Sequence, residues 1–111
     1  MSEFTDYLHE VFELAGHITV KRMFDGHTLY YQGLPVGIVY DDTLFLKADA
    51  ETRAEFEKRN LLQFNYQKKD KTIGLPYFQA PEEIFEDRHE AALWLKRSFE
   101  ASLRSKPKNR R

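Results

Sequence analysis

The residues best suited to acid–base or metal chemistry are four histidines, His9, His17, His27 and His89, and their spacing serves neither purpose. No two share a helix face, and none brackets a hairpin with a second ligand of the type a metal requires. Asp25 and His27 flank Gly26 and offer two ligands, too few to select a metal, so a solvated turn is the simpler reading. Asp41-Asp42 is a carboxylate pair only on paper, because adjacent acids in a tight turn are both ionised and hydrated. Ser2, Ser98, Ser102 and Ser105 fall at helix or tail positions, away from any strained turn that would expose a nucleophilic hydroxyl. Gly33 and Gly37 belong to neither a GxxxxGK nor a GxGxxG loop. The chain has no cysteine, which removes zinc-ribbon, disulfide, thiol-enzyme and iron–sulfur chemistry. The expectation is a protein without catalytic residues, metal or cofactor.

Bases interleaved with aromatics are the remaining chemistry. In FNYQKKDKTIGLPYF, Lys68, Lys69 and Lys71 surround a hairpin tip, with Phe64, Tyr66, Tyr77 and Phe78 in the flanking strands. Such a surface can stack unpaired bases and meet phosphates, although a core or edge aromatic cluster below a solvated tip has the same pattern. The segment RSKPKNRR adds Arg104, Lys106, Lys108, Arg110 and Arg111 with no acid, a +5 tail. Of 17 basic and 18 acidic residues in the chain, 12 and 18 then remain in residues 1–103, so the body carries −6. Any long-range attraction to nucleic acid must come from the tail, expected to be flexible, or from a local patch.

These groups must be positioned by a small set of elements. Phe4, Leu8, Val11, Phe12 and Ala15 recur at helical spacing, with Ser2 as a possible cap and Gly16 as a stop. Residues 18–24, 27–32, 35–40 and 43–48 alternate as strands; Asp25-Gly26 is the strongest hairpin signal, and Gly33 and Asp41-Asp42 are weaker ones. Turns this short make an antiparallel meander. Asp49 opens a short helix with Glu55 and Arg59 four apart and Asn60 as its stop. Strands at 63–69 and 72–78 follow, and Pro76 places the second at a sheet edge or on an irregularity. Pro81 starts a terminal helix whose apolar face is Ile84, Phe85, Ala92, Leu95, Phe99 and Leu103, with a break near Asp87. The order α-β4-α-β2-α implies an α+β fold of two layers, an antiparallel sheet with helices packed on one side.

With 111 residues, 41% hydrophobic and 14% aromatic, the chain suits one domain over 1–103, with 104–111 as a basic tail. A domain of this size buries roughly two-thirds of the surface its unfolded chain exposes, enough for a core without metal or disulfide staples. The acidic start MSEFTDYLHE is unlike a signal peptide, and no apolar run approaches the roughly 20 residues that span a bilayer. A cytoplasmic protein with no membrane partner is expected.

Lys21-Arg22-Met23-Phe24-Asp25-Gly26, then Leu29-Tyr30 and Gly33, then Asp42-x-Leu44-Phe45-Leu46-Lys47-Ala48-Asp49 resemble the N-terminal domain of the TfoX (Sxy) family, regulators of natural competence. Phe64-x-Tyr66, Tyr77, Pro81-Glu82-Glu83 and Trp94 follow in the order that family shows, so the resemblance spans about residues 15–100. The resemblance implies a two-layer α+β domain without catalytic residues or cofactor. It also implies transcriptional regulation through a protein partner, the transcription machinery or a cyclic-AMP receptor protein. Arg22, Met23, Phe24, Gly26, Tyr30 and Lys47 become the candidate partner surface. If helices cover only one sheet face, the aromatics of the other, such as Tyr30 and Tyr40, await a protein partner or a second copy in a homodimer.

Overall fold

The computed structural model describes residues 3–23 and 25–105. Phe24, Ser2, Lys106, Lys108, Arg110 and Arg111, each named above for a role, lie outside the described residues. The chain runs through α1 (Glu3–Val11), β1 (Ile18–Met23), β2 (Gly26–Tyr31), β3 (Leu34–Tyr40) and β4 (Thr43–Lys47). It continues through α2 (Arg53–Glu57), β5 (Gln63–Lys68), β6 (Lys71–Gln79), a 3-10 turn (Glu82–Phe85) and α3 (Arg88–Ser105). The strands form one antiparallel sheet in the order β1-β2-β3-β4-β6-β5. The expected α+β class and element order are therefore observed. No described helix is long and apolar enough to cross a membrane.

The core lies between the helices and one sheet face. Leu8, Val11 and Phe12 of the first helical segment meet Ile18, Leu29, Val36, Leu44 and Leu46 from the strands, all almost fully buried. Phe56 and Trp94 close the far end, with ring centroids 5.0 Å apart in an edge contact and Phe78 stacked on Phe56 at 5.3 Å. Arg59 and Arg97 lie over the Trp94 ring at 5.2 and 4.7 Å, so two guanidiniums roof the indole. Trp94 acts here through packing, since its buried Nε1 has no protein partner among the described residues. The α3 core face comprises Ala91, Trp94, Leu95, Ser98, Ala101 and Ser102. Leu103, expected on that face, is 46% exposed, because the buried stripe runs through Ser98, Ala101 and Ser102 and position 103 falls beside it.

The turns differ from expectation in an instructive way. Asp41 and Asp42 both have positive φ, 53° and 54°, between the paired residues Tyr40 and Thr43, the geometry of a type I′ hairpin. Gln32 and Gly33, at 50° and 85°, connect Tyr31 to Leu34 in the same manner. By contrast, Gly26 is not a turn centre with positive φ; it is the first residue of β2, paired with Met23 and with Tyr40. A Cβ at Gly26 would overlap the Val39 carbonyl oxygen, so glycine is needed there for close backbone approach.

Two other local expectations are corrected. Arg59 pairs with Glu83 at 2.6 Å instead of Glu55, which binds Lys58 at 3.4 Å, because the 3-10 turn brings Glu83 to the end of α2. Pro76 does not mark an edge: β6 lies between β4 and β5. It falls at the irregularity that the same residue also allowed. Gly74 pairs with Asn65 and Phe78 with Gln63, so three residues of β6 stand opposite Phe64 alone. As expected, Asn60 ends its helical segment with φ 60°, and the terminal helix breaks at Asp87, whose carboxylate accepts the His89 and Glu90 amides.

Candidate functional site: the open sheet face and its cleft

The β6 bulge separates the strand into two parts. Tyr77–Gln79 pairs with β4, whereas Lys71–Gly74 pairs only with β5, so the β5–β6 hairpin extends beyond the main sheet as an arm. The arm curls over the face that the helices leave uncovered. Phe64 of β5 reaches Phe45 of β4 at 4.9 Å and Tyr40 of β3 at 5.5 Å, although β6 lies between β5 and both of them in strand order. Ile38, Phe64 and Tyr77 thereby form a second buried cluster, flanked by Met23, Phe45 and Leu75.

Between the arm and strands β1–β3 lies a cleft of about 490 Å³. Met23, Ile38, Tyr40, Phe64 and Leu75 make its apolar wall, and Asn65, Tyr66, Gln67 and Lys68 line the arm side, with Asp25 and Gly26 at the opposite end. The volume is within the range that admits a large side chain or a small ligand. Thr28 supports the wall by donating its hydroxyl to Met23 Sδ at 2.8 Å.

The open face also carries two cation–ring contacts. Lys21 Nζ lies 5.4 Å from the Tyr30 ring centroid and Lys47 Nζ lies 5.2 Å from that of Tyr77. Burial, with Tyr30 nearby as a second negative charge when ionised, pushes the Tyr77 phenol up to about 12. Tyr77 therefore remains a neutral donor across all ordinary pH.

Strand alternation sorts the expected partner surface. Met23, Gly26, Tyr30 and Lys47 share the open face with Tyr40 and the cleft. Arg22 is paired with His27 and shares the opposite face with Val20, so it is exposed beside the helical layer and does not join that set. Sequence reading missed Ile38, Phe45 and Leu75 as parts of this face. Their alternation was visible, but the curl that brings β5 over β3 depends on the two extra residues at Pro76.

The expected nucleic-acid contacts divide as well. Lys68, Lys69 and Lys71 are exposed around a tip where Lys69 has φ 55°. Of the aromatics beside them, Tyr66 is 43% exposed, whereas Phe64, Tyr77 and Phe78 are buried. Arg104 is already paired within the fold. It lies in α3 and holds Asp49 through Nε and Nη2 at 2.6 and 3.2 Å, with Glu51 3.3 Å away. The guanidinium holds the Asp49 carboxyl below its ordinary range, and the carboxylate raises Arg104 in turn. Asp49 also accepts the Glu51 and Thr52 amides while Thr52 Oγ1 accepts the Asp49 amide, so this clamp fixes the entry to α2. Among the described residues no group of three or more histidines and acids could hold a metal ion.

No curated protein is significantly similar to the chain. The family model for the TfoX N-terminal domain matches residues 10–102, which include the whole sheet, the arm and almost all of α3. The chain belongs to the TfoX N-terminal domain family.

Proposed function

We propose that the protein is a non-enzymatic interaction module that acts in transcriptional control, binding a protein partner through its open sheet face. The observation that carries this reading is the apolar cleft itself. Met23, Ile38, Tyr40, Phe64 and Leu75 border an accessible recess, and exposed apolar surface rimmed by polar groups is characteristic of interaction sites. The TfoX relationship supplies the regulatory context, and a cyclic-AMP receptor protein or another component of the transcription machinery is the partner class that the family suggests. Titration of the immobilised protein with purified cyclic-AMP receptor protein, with and without nuclease treatment, tests this. Saturable binding that survives nuclease and weakens at least tenfold on Tyr40→Ala supports it, and binding that disappears with nucleic acid removes it.

A second reading, nucleic-acid binding, is favoured by one feature, the exposed Lys68, Lys69 and Lys71 beside exposed Tyr66. Truncation after Ser105 removes Lys106, Lys108, Arg110 and Arg111 while leaving the Arg104 clamp. If the tail contributes, the slope of log affinity against log salt for single-stranded DNA falls by up to about 3, less than one for each cation removed. An unchanged slope removes the tail from this reading.

A further inference from the structure

The cleft runs along the edge of β5, above the open face of β1–β3. Five successive residues of β5, Phe64 to Lys68, line it. Alternate side chains of a strand leave opposite faces, so a run of consecutive lining residues requires that the recess follow the strand's margin. That margin is free: β5 ends the sheet and has β6 on one side only. Its outward backbone groups are therefore available to another strand.

The charge around this edge selects among strands. Residues 3–15, 49–60 and 81–105, the helical layer, hold 14 acids against 7 bases. Residues 16–23, 25–48 and 61–80, the strands and their turns, hold 4 acids against 6 bases; Lys68, Lys69 and Lys71 gather with Asp70 at the end of β5, a local excess of two positive charges, and Asp25 lies at the opposite end of the cleft. Lysines on an edge repel a second copy of the same edge, and the same charges attract an acidic segment. The aromatic geometry argues against base stacking. Phe64 is buried and meets Tyr40 edge-on at 68°, so these two rings form no parallel stacking platform beside exposed Tyr66, and the recess next to them suits an inserted side chain.

We propose that an extended acidic segment of a partner protein docks by adding as a strand to the free edge of β5, seating one large apolar side chain between Met23, Ile38, Tyr40 and Phe64. The backbone pairing supplies general affinity, the recess reads the apolar side chain, and Lys68 and Lys69 read the acids on either side of it. This inference rests on the interaction-module reading and specifies the chemistry of the partner.

The test uses a short fluorescein-labelled peptide that alternates Glu and Val about a central Trp, titrated by anisotropy against the full chain. Expected are saturable binding, loss of at least tenfold when the peptide Trp becomes Ala, and slowed hydrogen exchange of the Phe64–Lys68 amides in the complex. Lys68→Glu combined with Lys69→Glu should weaken binding about tenfold and recover it for a peptide with Lys in place of Glu, a rescue that a misfolded variant cannot show. Absence of binding up to about 1 mM peptide, unaltered β5 exchange, or indifference to the charge swap overturns the proposal. So does displacement of the peptide by oligothymidine at lower concentration than unlabelled peptide, or sedimentation showing that a second copy already occupies the edge. Peptide docking without binding of the cyclic-AMP receptor protein would leave this site standing and remove the regulatory reading; receptor binding without peptide docking would do the reverse.

Discussion

Gly26 and Gly33 show how two glycines in neighbouring hairpins carry different constraints. Gly33 has φ 85° with open space around its Cβ position, so Gly33→Ala meets only the left-handed backbone cost of about 1 kcal/mol. Gly26 lacks positive φ but has no room, and Gly26→Ala should cost about 2–3 kcal/mol through displaced β2 and β3 backbone. Urea titration of both variants checks the ranking, and equal losses would contradict it. Tyr77 makes a prediction in pH. Its phenol is raised to about 12 in the fold, whereas the unfolded side chain ionises near 10, so the unfolded state releases its proton first. The stabilisation is complete below pH 10 and is lost as the pH rises toward about 12. Tyrosinate absorbance should contain one component that ionises only there, and Tyr77→Phe should remove it. Asp49 behaves in the opposite sense. With its carboxyl held below the ordinary range by Arg104, its contribution is present above about pH 4 and lost as the pH falls through the folded value. Arg104→Gln should cost about 1 kcal/mol at neutral pH, limited by solvent around the 35%-exposed arginine, and should flatten that acid limb in thermal melts.

At the scale of elements, α2 has only five residues and cannot persist on its own propensity. It is held by Phe56, buried between Phe78 and Trp94, by the Asp49 turn at its entry and by the Arg59–Glu83 pair at its exit. Phe56→Ala should therefore cost about 3–5 kcal/mol, whereas Arg53→Ala, which breaks an exposed pair with Glu57, should cost under about 1 kcal/mol. Denaturant titration with Trp94 fluorescence measures both, and similar losses would mean that α2 is not anchored through Phe56. The same contrast explains what could be read from the chain. The α1 stripe and the alternating strands announced their faces through period alone, as Leu8, Val11 and Phe12 or Leu44 and Leu46 show, because burial on one side dictates that pattern. The arm could not be read in that way. Pro76 signalled an irregular strand, but whether a strand with extra residues bends toward one face or away depends on packing against Tyr40 and Phe45, which are distant in sequence. The cleft is a product of that bend, so Met23 and Tyr40 were recognisable as surface candidates while Ile38 and Leu75 were not. The Arg104 pair was hidden for a related reason: a basic residue beside a basic tail resembles it until the fold brings Asp49, 55 positions away, within hydrogen-bonding distance.

For the whole molecule, a formal net charge of −1 conceals two layers of opposite sign, the helical one with an excess of seven acids and the sheet with an excess of two bases, to which residues 106–111 add four bases. The molecule measures 36 × 36 × 30 Å, so how much of this polarity an approaching partner senses depends on salt. At 10 mM ionic strength the screening length is about 30 Å, comparable to the molecule, and an acidic strand approaching β5 also feels the repulsion of the helical acids. At 150 mM it is about 8 Å, and only the charges around the cleft count, Lys68, Lys69 and Lys71 against Asp70 and Asp25. Neutralising exposed acids far from the cleft should therefore speed association at low salt without altering it at physiological salt. The double variant Glu10→Gln and Glu86→Gln, one change on α1 and one in the turn before α3, should raise the on-rate of the acidic peptide two- to fivefold at 10 mM, by a factor near one at 150 mM. Its dissociation rate should not change, because neither residue touches the site. Stopped-flow anisotropy separates the two rates. An equal acceleration at both salt concentrations, or a changed off-rate, would mean that these acids act through local structure and that long-range polarity between the layers plays no part in recognition.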